Sequence, residues 1–380
     1  MKKLICVILC VLIACTSTFV FADGEQLELT CPSALLMEFS TGQVLYEKNS
    51  HEKLPMASVT KIMTMLLAME AVDSGKITFD DMVTGSAYAK SMGGSTIFLD
   101  EGEQLSVRDI LKGIAVASGN DAAVAMGEHL AGSAEGFVEM MNQRAAQLGM
   151  NDTHFVNCNG LDADDHYSSA YDIALMSREL MKHEGIFDFT TIWMDSLRDG
   201  AFTLSNTNKL IRFYDGATGL KTGSTDKAKF CISATAKRGD MHLIAVIMAA
   251  PSSKERSADA SKLLNYGFAN YGVSNIAKKG EVVGTVHIDK GTKDEVNVVC
   301  SDDINILYQK NKRPETKREV VLEPNLIAPM KQGDRAGELV VTSDGTETSR
   351  CTVVLESDIP KMNVIGVFGM IFENWIDLKI

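Results

Sequence analysis

Positive charge is in short supply in this chain: 37 Lys and Arg stand against 50 Asp and Glu, a net charge of −13 over 380 residues. That balance argues against nucleic acid as a partner, because phosphate binding calls for a basic face. Metal-ligand patterns are missing too. The seven histidines form no cluster, no Cys-x-x-Cys pair occurs, and Asp162-Ala163-Asp164-Asp165 lacks the rest of a calcium loop. No metal or other cofactor is implied. Of the eight cysteines, Cys6, Cys10 and Cys15 lie near the N-terminus; Cys31, Cys158, Cys231, Cys300 and Cys351 are scattered and odd in number. That excludes a disulfide framework and leaves small buried hydrophobes, with a Cys300–Cys351 pair open.

What is present is ordinary globular material, 45% hydrophobic and 23% charged, in a length that suits two domains. Met1-Lys2-Lys3 followed by an apolar run from Leu4 to Ala14 describes a secretory signal peptide over residues 1–22. Val20-Phe21-Ala22 is a small-x-small cleavage site that would leave Asp23 as the first mature residue. Leu12-Ile13-Ala14-Cys15 also fits a lipoprotein box with Cys15 lipidated. Either way the chain is expected to be exported.

From Ala57 to Ala71 the chain is almost continuously apolar and reads as a buried helix ending near Ser74-Gly75, with Ser58 and Lys61 on one face of its first turn. Leu105 to Leu130 reads as two helices broken at Ser118-Gly119-Asn120, and Tyr171 to His183 as another. Phe230–Lys237 and His242–Ala250 are β-prone runs joined at Arg238-Gly239-Asp240-Met241, so this Arg-Gly-Asp reads as a hairpin turn rather than an adhesion signal. Ser257 to Tyr271 is helical again. Helices around an antiparallel sheet thus form a first domain over residues 23–275, and short β runs between charged turns form a second over 276–360.

Residues 361–380 carry Val364, Phe368, Ile371, Trp375 and Leu378 at helical spacing. Twenty helical residues reach about 30 Å, enough to span a bilayer, but Glu373 and Asp377 would each cost about 3 kcal/mol near its centre. An amphipathic helix lying in the membrane surface avoids that cost; a helix docked on the β domain is the alternative.

Three short groups carry chemistry: Ser58-Val59-Thr60-Lys61, Ser118-Gly119-Asn120 and Lys221-Thr222-Gly223, in that order. Acyl transfer needs a nucleophilic hydroxyl, a base, a proton donor for the leaving amine and a cationic anchor, and together these supply all four. Ser58 is a poor nucleophile until something takes its proton, and Lys61 is placed to do so, although the pair taken singly also fits a chance helix start. A free lysine titrates near about 10.4, so a basic Lys61 at neutrality calls for about 4 kcal/mol of bias against its proton, from burial and a second cation such as Lys221. Lys221 can also pair with a substrate carboxylate. Ser118 can relay a proton to the leaving amine, Asn120 can bond the substrate amide or hold Lys61, and the turn can also cap the helix that follows. Gly223 lets a substrate backbone approach the strand edge, and the N–H groups of Ser58 and Ser224 can form an oxyanion hole.

Ordered and widely spaced, these groups match the SxxK, SxN and KTG set of penicillin-interacting serine enzymes. The chain resembles the D-alanyl-D-alanine carboxypeptidases, low-molecular-mass penicillin-binding proteins, over nearly its whole mature length. Asn159-Gly160-Leu161, Gly219-Leu220 before Lys221, and Ala250-Pro251 followed by Arg256 add to the likeness. The resemblance implies an α+β fold: a penicillin-binding, β-lactamase-like transpeptidase domain (antiparallel sheet with helical subdomain), a small all-β domain and a C-terminal amphipathic anchor. It implies acylation of Ser58, Lys61 as base, Ser118 as proton relay, and Lys221, Thr222 and Arg256 on the terminal carboxylate. The substrate implied is a peptidoglycan stem peptide ending in D-Ala-D-Ala, the inhibitors are β-lactams, and the place of action is the outer face of the cytoplasmic membrane. Met56, Cys158 and Ser224 depart from residues common in the family, and Ser224 bears on substrate preference. A serine β-lactamase shares the three groups, but Asn157 to Tyr167 holds Asp162, Asp164 and Asp165 and no Glu to activate a water. A non-catalytic β-lactam sensor or wall-binding module on the same fold would bind without turnover.

Overall fold

The computed structural model describes residues 27–293 and 295–363; the leader with Cys15, and the terminal segment beyond Asn363, lie outside them. The central sheet has five antiparallel strands, β1 (Ser33–Glu38), β2 (Val44–Lys48), β3 (Ala217–Thr225), β4 (Lys229–Arg238) and β5 (Met241–Ala250), in the order β2-β1-β5-β4-β3. β3 is therefore an edge strand. The β4–β5 hairpin turns at Gly239 and Asp240 with Arg238 opposite Met241, as expected, and Gly239 takes the positive φ of 59° that the tight turn requires.

Both faces of this sheet are covered. Leu35 and Met37 of β1, with Ile244, Val246 and Met248 of β5, point into one core. Ala34 and Leu36, with Leu243, Ala245 and Ile247, point into the other. Alternation therefore buries every residue of β1 and leaves no polar stripe to mark it as a strand. At the β1–β2 turn the buried Glu38 carboxylate accepts from Ser40 N and Oγ and from Thr41 N and Oγ1, at 2.7–3.0 Å.

Helices α1 (Lys61–Asp73), α2 (Val107–Ala117), α3 (Asn120–Ala131), α4 (Ala134–Gln147) and α5 (Ala170–Met181) build the first core, and α6 (Ser253–Asn270) closes the second. Ser106, Ser133, Ser169 and Ser252 cap α2, α4, α5 and α6 through their hydroxyls, each worth about 1 kcal/mol. α4 was not legible in the sequence, because only Phe137, Met141 and Ala145 are buried, a single narrow stripe in an otherwise polar helix.

After α6 come β6 (Tyr271–Ala277), β7 (Val282–His287), β8 (Glu295–Cys300), β9 (Ile304–Gln309), β10 (Thr316–Leu322), β11 (Arg335–Ser343) and β12 (Thr346–Leu355). β6 pairs with β9, and the others form a sheet in the order β7-β8-β12-β11-β10 around a core of their own. The whole is α+β, as the sequence implied. All five cysteines among the described residues are buried and free, Cys300 and Cys351 included.

Candidate active site

Ser58 does not sit in the first turn of an α-helix. Residues 57–60 form a 3₁₀ turn, and Lys61 opens α1. The cause lies one residue earlier: Ala57 takes a φ of 50°, a left-handed backbone that no α-helix tolerates. Two glycines press on the Ala57–Ser58 peptide. A Cβ on Gly160 would fall 2.0 Å from Ala57 O and 2.8 Å from Ser58 N, and one on Gly223 would fall 2.9 Å from Ser58 N. Neither position can carry a side chain without moving Ser58.

Lys61 is fully buried beside it. Its Nζ lies 2.9 Å from Ser58 Oγ, 2.6 Å from Asn120 Oδ1 and 2.5 Å from the carbonyl of Asn159. The Asn120 amide has one orientation, because its Nδ2 donates to Gly93 O at 2.7 Å. Burial disfavours the ammonium and brings the Lys61 pKa down to about 7; the neighbouring Cys158 and then Asp121 oppose it.

Ser118 is buried and ends α2 in a left-handed conformation, φ 63° and ψ 31°. Its side chain does not cap α3, whose N-cap is Gly119, without a side-chain hydrogen bond. Asp121 organises the crossing instead. Its carboxylate accepts from the N–H groups of Ile97, Leu99 and Ala122 at 2.8–3.0 Å, binding the 93–99 loop to the start of α3.

The third group lies on edge strand β3, against the Ser58 turn. Lys221 is buried, with Nζ donating to Thr222 O at 2.9 Å, and Thr222 Oγ1 bonds Thr207 Oγ1 at 2.7 Å. Burial first, then Lys61 and Arg256, hold the Lys221 pKa well below its ordinary value. Arg256, near the start of α6, is also buried; its Nη2 reaches Ser253 Oγ while its Nε has no partner. Burial lowers its pKa to about 10. Ser224 is exposed.

The structure thus joins Ser58, Lys61 and Asn120 by hydrogen bonds, sets Gly223 against Ser58, and puts Lys221 within electrostatic reach of Lys61 and Arg256. Sequence reasoning missed Thr207, Asp121 and the role of the Asn159 carbonyl. Asn159-Gly160-Leu161 stood out through the resemblance alone; nothing marks Thr207.

Among the described residues no group of His, Cys, Asp and Glu is placed to hold a metal, and no helix is long and apolar enough to cross a membrane.

Residues 21–252 match the family model described as D-alanyl-D-alanine carboxypeptidase, and residues 271–361 match that of the penicillin-binding protein 5 C-terminal domain. The chain is 43% identical to the D-alanyl-D-alanine carboxypeptidase DacF of Bacillus subtilis, over 100% of both chains. The structure of penicillin-binding protein 5 from Haemophilus influenzae superposes with a TM-score of 0.74 at 31% identity, covering 89% of this chain and 100% of that one. The structure of penicillin-binding protein D2 from Listeria monocytogenes in its ampicillin-bound form gives a TM-score of 0.57 at 33% identity, over 64% of this chain and 100% of its own. Carrying that likeness through both units, the chain belongs to the D-alanyl-D-alanine carboxypeptidase family of serine peptidases.

Proposed function

We propose that this enzyme removes the terminal D-alanine from peptidoglycan stem pentapeptides through an acyl-enzyme on Ser58, and that β-lactams inhibit it by acylating the same oxygen. The observation that carries the assignment is the position of Lys61 Nζ, hydrogen-bonded to Ser58 Oγ and to two oxygens that can only accept. A neutral amine gives its two protons to Asn120 Oδ1 and Asn159 O and turns its lone pair toward the Ser58 hydroxyl. With the Lys61 pKa at about 7, that state is well populated at neutral pH.

Ser58 Oγ attacks the carbonyl of the penultimate D-alanine as its proton passes to Lys61. The tetrahedral oxyanion forms on the N–H groups of Ser58 and Ser224; a donor of this kind contributes about 3 kcal/mol. Collapse breaks the C–N bond, and the terminal D-alanine departs with a proton relayed through Ser118. Water then hydrolyses the ester. Lys221, Thr222 and Arg256 receive the terminal carboxylate, whose charge restores the proton that burial disfavours on Lys221. Asn120 serves as the clamp on Lys61, and the Gly223 backbone leaves room for the peptide along the edge of β3.

Two features favour inhibition by β-lactams over their hydrolysis. The Listeria relative is described in an ampicillin-bound form. In the acidic loop, the Asp162 carboxylate is engaged, its Oδ1 accepting from Thr225 Oγ1 at 2.6 Å.

We assign residues 1–22 to a signal peptide, 23–275 to the catalytic unit, 276–360 to the β unit and 361–380 to a peripheral anchor on the outer face of the cytoplasmic membrane. Lys361 bridges Gly291 and Met362 N donates to Lys290 O at 2.8 Å, so the chain leaves for that segment from the end of the β unit. Deleting 361–380 should abolish flotation with anionic liposomes; flotation retained by the truncated chain would remove the anchor from this scheme.

The test of the activity is D-alanine release from a diacyl-Lys-D-Ala-D-Ala tripeptide beside Ser58→Ala. Release lost in the variant supports the assignment; full release by the variant, with penicillin labelling intact, would end it.

A further inference from the structure

Behind Ser58 runs a line of buried hydrogen bonds that the reaction steps do not use. Val156 N–H donates to Nδ1 of His166 at 3.0 Å. A ring nitrogen that accepts carries no proton, so the neutral imidazole bears its hydrogen on Nε2. Nε2 lies 2.8 Å from Thr60 Oγ1, and Thr60 Oγ1 lies 2.8 Å from Ala57 O. The carbonyl can only accept, which settles every direction: His166 donates to the Thr60 oxygen, and the Thr60 hydroxyl donates to Ala57 O. His166, Thr60 and Ala57 are all buried, which leaves little access for water as a substitute. Burial also holds the His166 pKa at about 4, with His154 adding and Asp162 opposing, so the ring stays neutral through the physiological range.

The end of this line is what gives it consequence. Ala57 O and Ser58 N–H belong to one planar trans peptide and point in opposite directions. Tethering the carbonyl on one side therefore aims the N–H on the other. Ala57 holds a φ of 50°, uncommon for a residue with a Cβ, so the peptide orientation needs such a tether. The same line ties the Ser58 turn to the 154–167 loop, whose Asn159 carbonyl holds Lys61.

We propose that His166, acting through Thr60, is a positioning residue that fixes the Ala57–Ser58 peptide and so aims the Ser58 N–H at the developing oxyanion. This rests on Ser58 being the acylated residue. An orientation of this kind matters most in the transition state, so its loss falls on turnover more than on binding.

Thr60→Val removes the hydroxyl at constant shape, and Thr60→Ser keeps it. In the full chain, measured beside wild type, Thr60→Val should lower kcat for D-alanine release about 10-fold and leave KM within about 2-fold, with Thr60→Ser close to wild type. His166→Phe should match Thr60→Val, and the double variant should be no slower than either single, because both cut one line. Equal rates for Thr60→Val and Thr60→Ser, a loss confined to KM, or losses that multiply would each overturn the proposal. Should His166→Phe fail to fold, the two Thr60 variants decide alone. A wild type that releases no D-alanine would instead strike at the activity on which the proposal rests.

Discussion

The surface of the β unit and the cleft of the catalytic unit treat cations in opposite ways. In the β unit, Arg335 and Arg350 stand about half exposed, with Glu323, Glu338 and Glu347 at 2.5–2.8 Å. In the catalytic unit, Lys61, Lys221 and Arg256 are buried, and none has a carboxylate partner among the described residues. Surface pairs cost little to make and return little. Buried unpaired cations cost several kcal/mol each unless they give up their protons. The lowered pKa values of all three show that pressure. Charge in the β unit is paired at the surface, whereas charge in the cleft is buried where its protons are disfavoured.

The sharpest way to break this contrast begins at the nucleophile. Ser58→Ala should lower D-alanine release by about 10⁴-fold or more and abolish covalent penicillin labelling, followed by gel fluorography. Next, Lys61→Met should slow acylation about 10³-fold. In wild type the acylation rate should rise with pH through about 7, because a depressed lysine becomes the neutral base as pH climbs past its lowered pKa; stopped-flow acylation between pH 5 and 9 reads that limb, and a flat profile would deny Lys61 the role.

Arg256→Met should lower kcat/KM about 10- to 100-fold through loss of a charge-assisted contact to the carboxylate. Its thermal midpoint should hold or rise, since a buried cation with no carboxylate partner among the described residues is removed. A fall in stability with unchanged kinetics would reverse the reading of that residue. The smallest effect belongs to the β unit: Arg350→Met should leave the urea midpoint close to that of wild type and turnover unchanged.

Legibility followed the range of the contacts. The hairpin of β4 and β5 and the break between α2 and α3 rest on near neighbours, and they were readable. β1 and β2 were not, because β1 is buried on both faces, by α5 and α6 from far along the chain, and shows no alternation. The turn at Ser118 looked like a cap for α3, but its backbone ends α2 left-handed and Asp121 does the tying.

The sequence by itself marked the candidate groups, since Ser58-Val59-Thr60-Lys61, Ser118-Gly119-Asn120 and Lys221-Thr222-Gly223 stand out by residue type, spacing and order. Only the tertiary structure decided how those groups are set. Lys61 is stripped of water by the first core, the Asn120 and Asn159 oxygens that claim its protons lie 59 and 98 residues further on, and the Ser58 peptide is turned by Gly160, Gly223 and the His166–Thr60 line. A pKa and the aim of an N–H are properties of an environment, and environment is assembled from parts of the chain that carry no mark of one another.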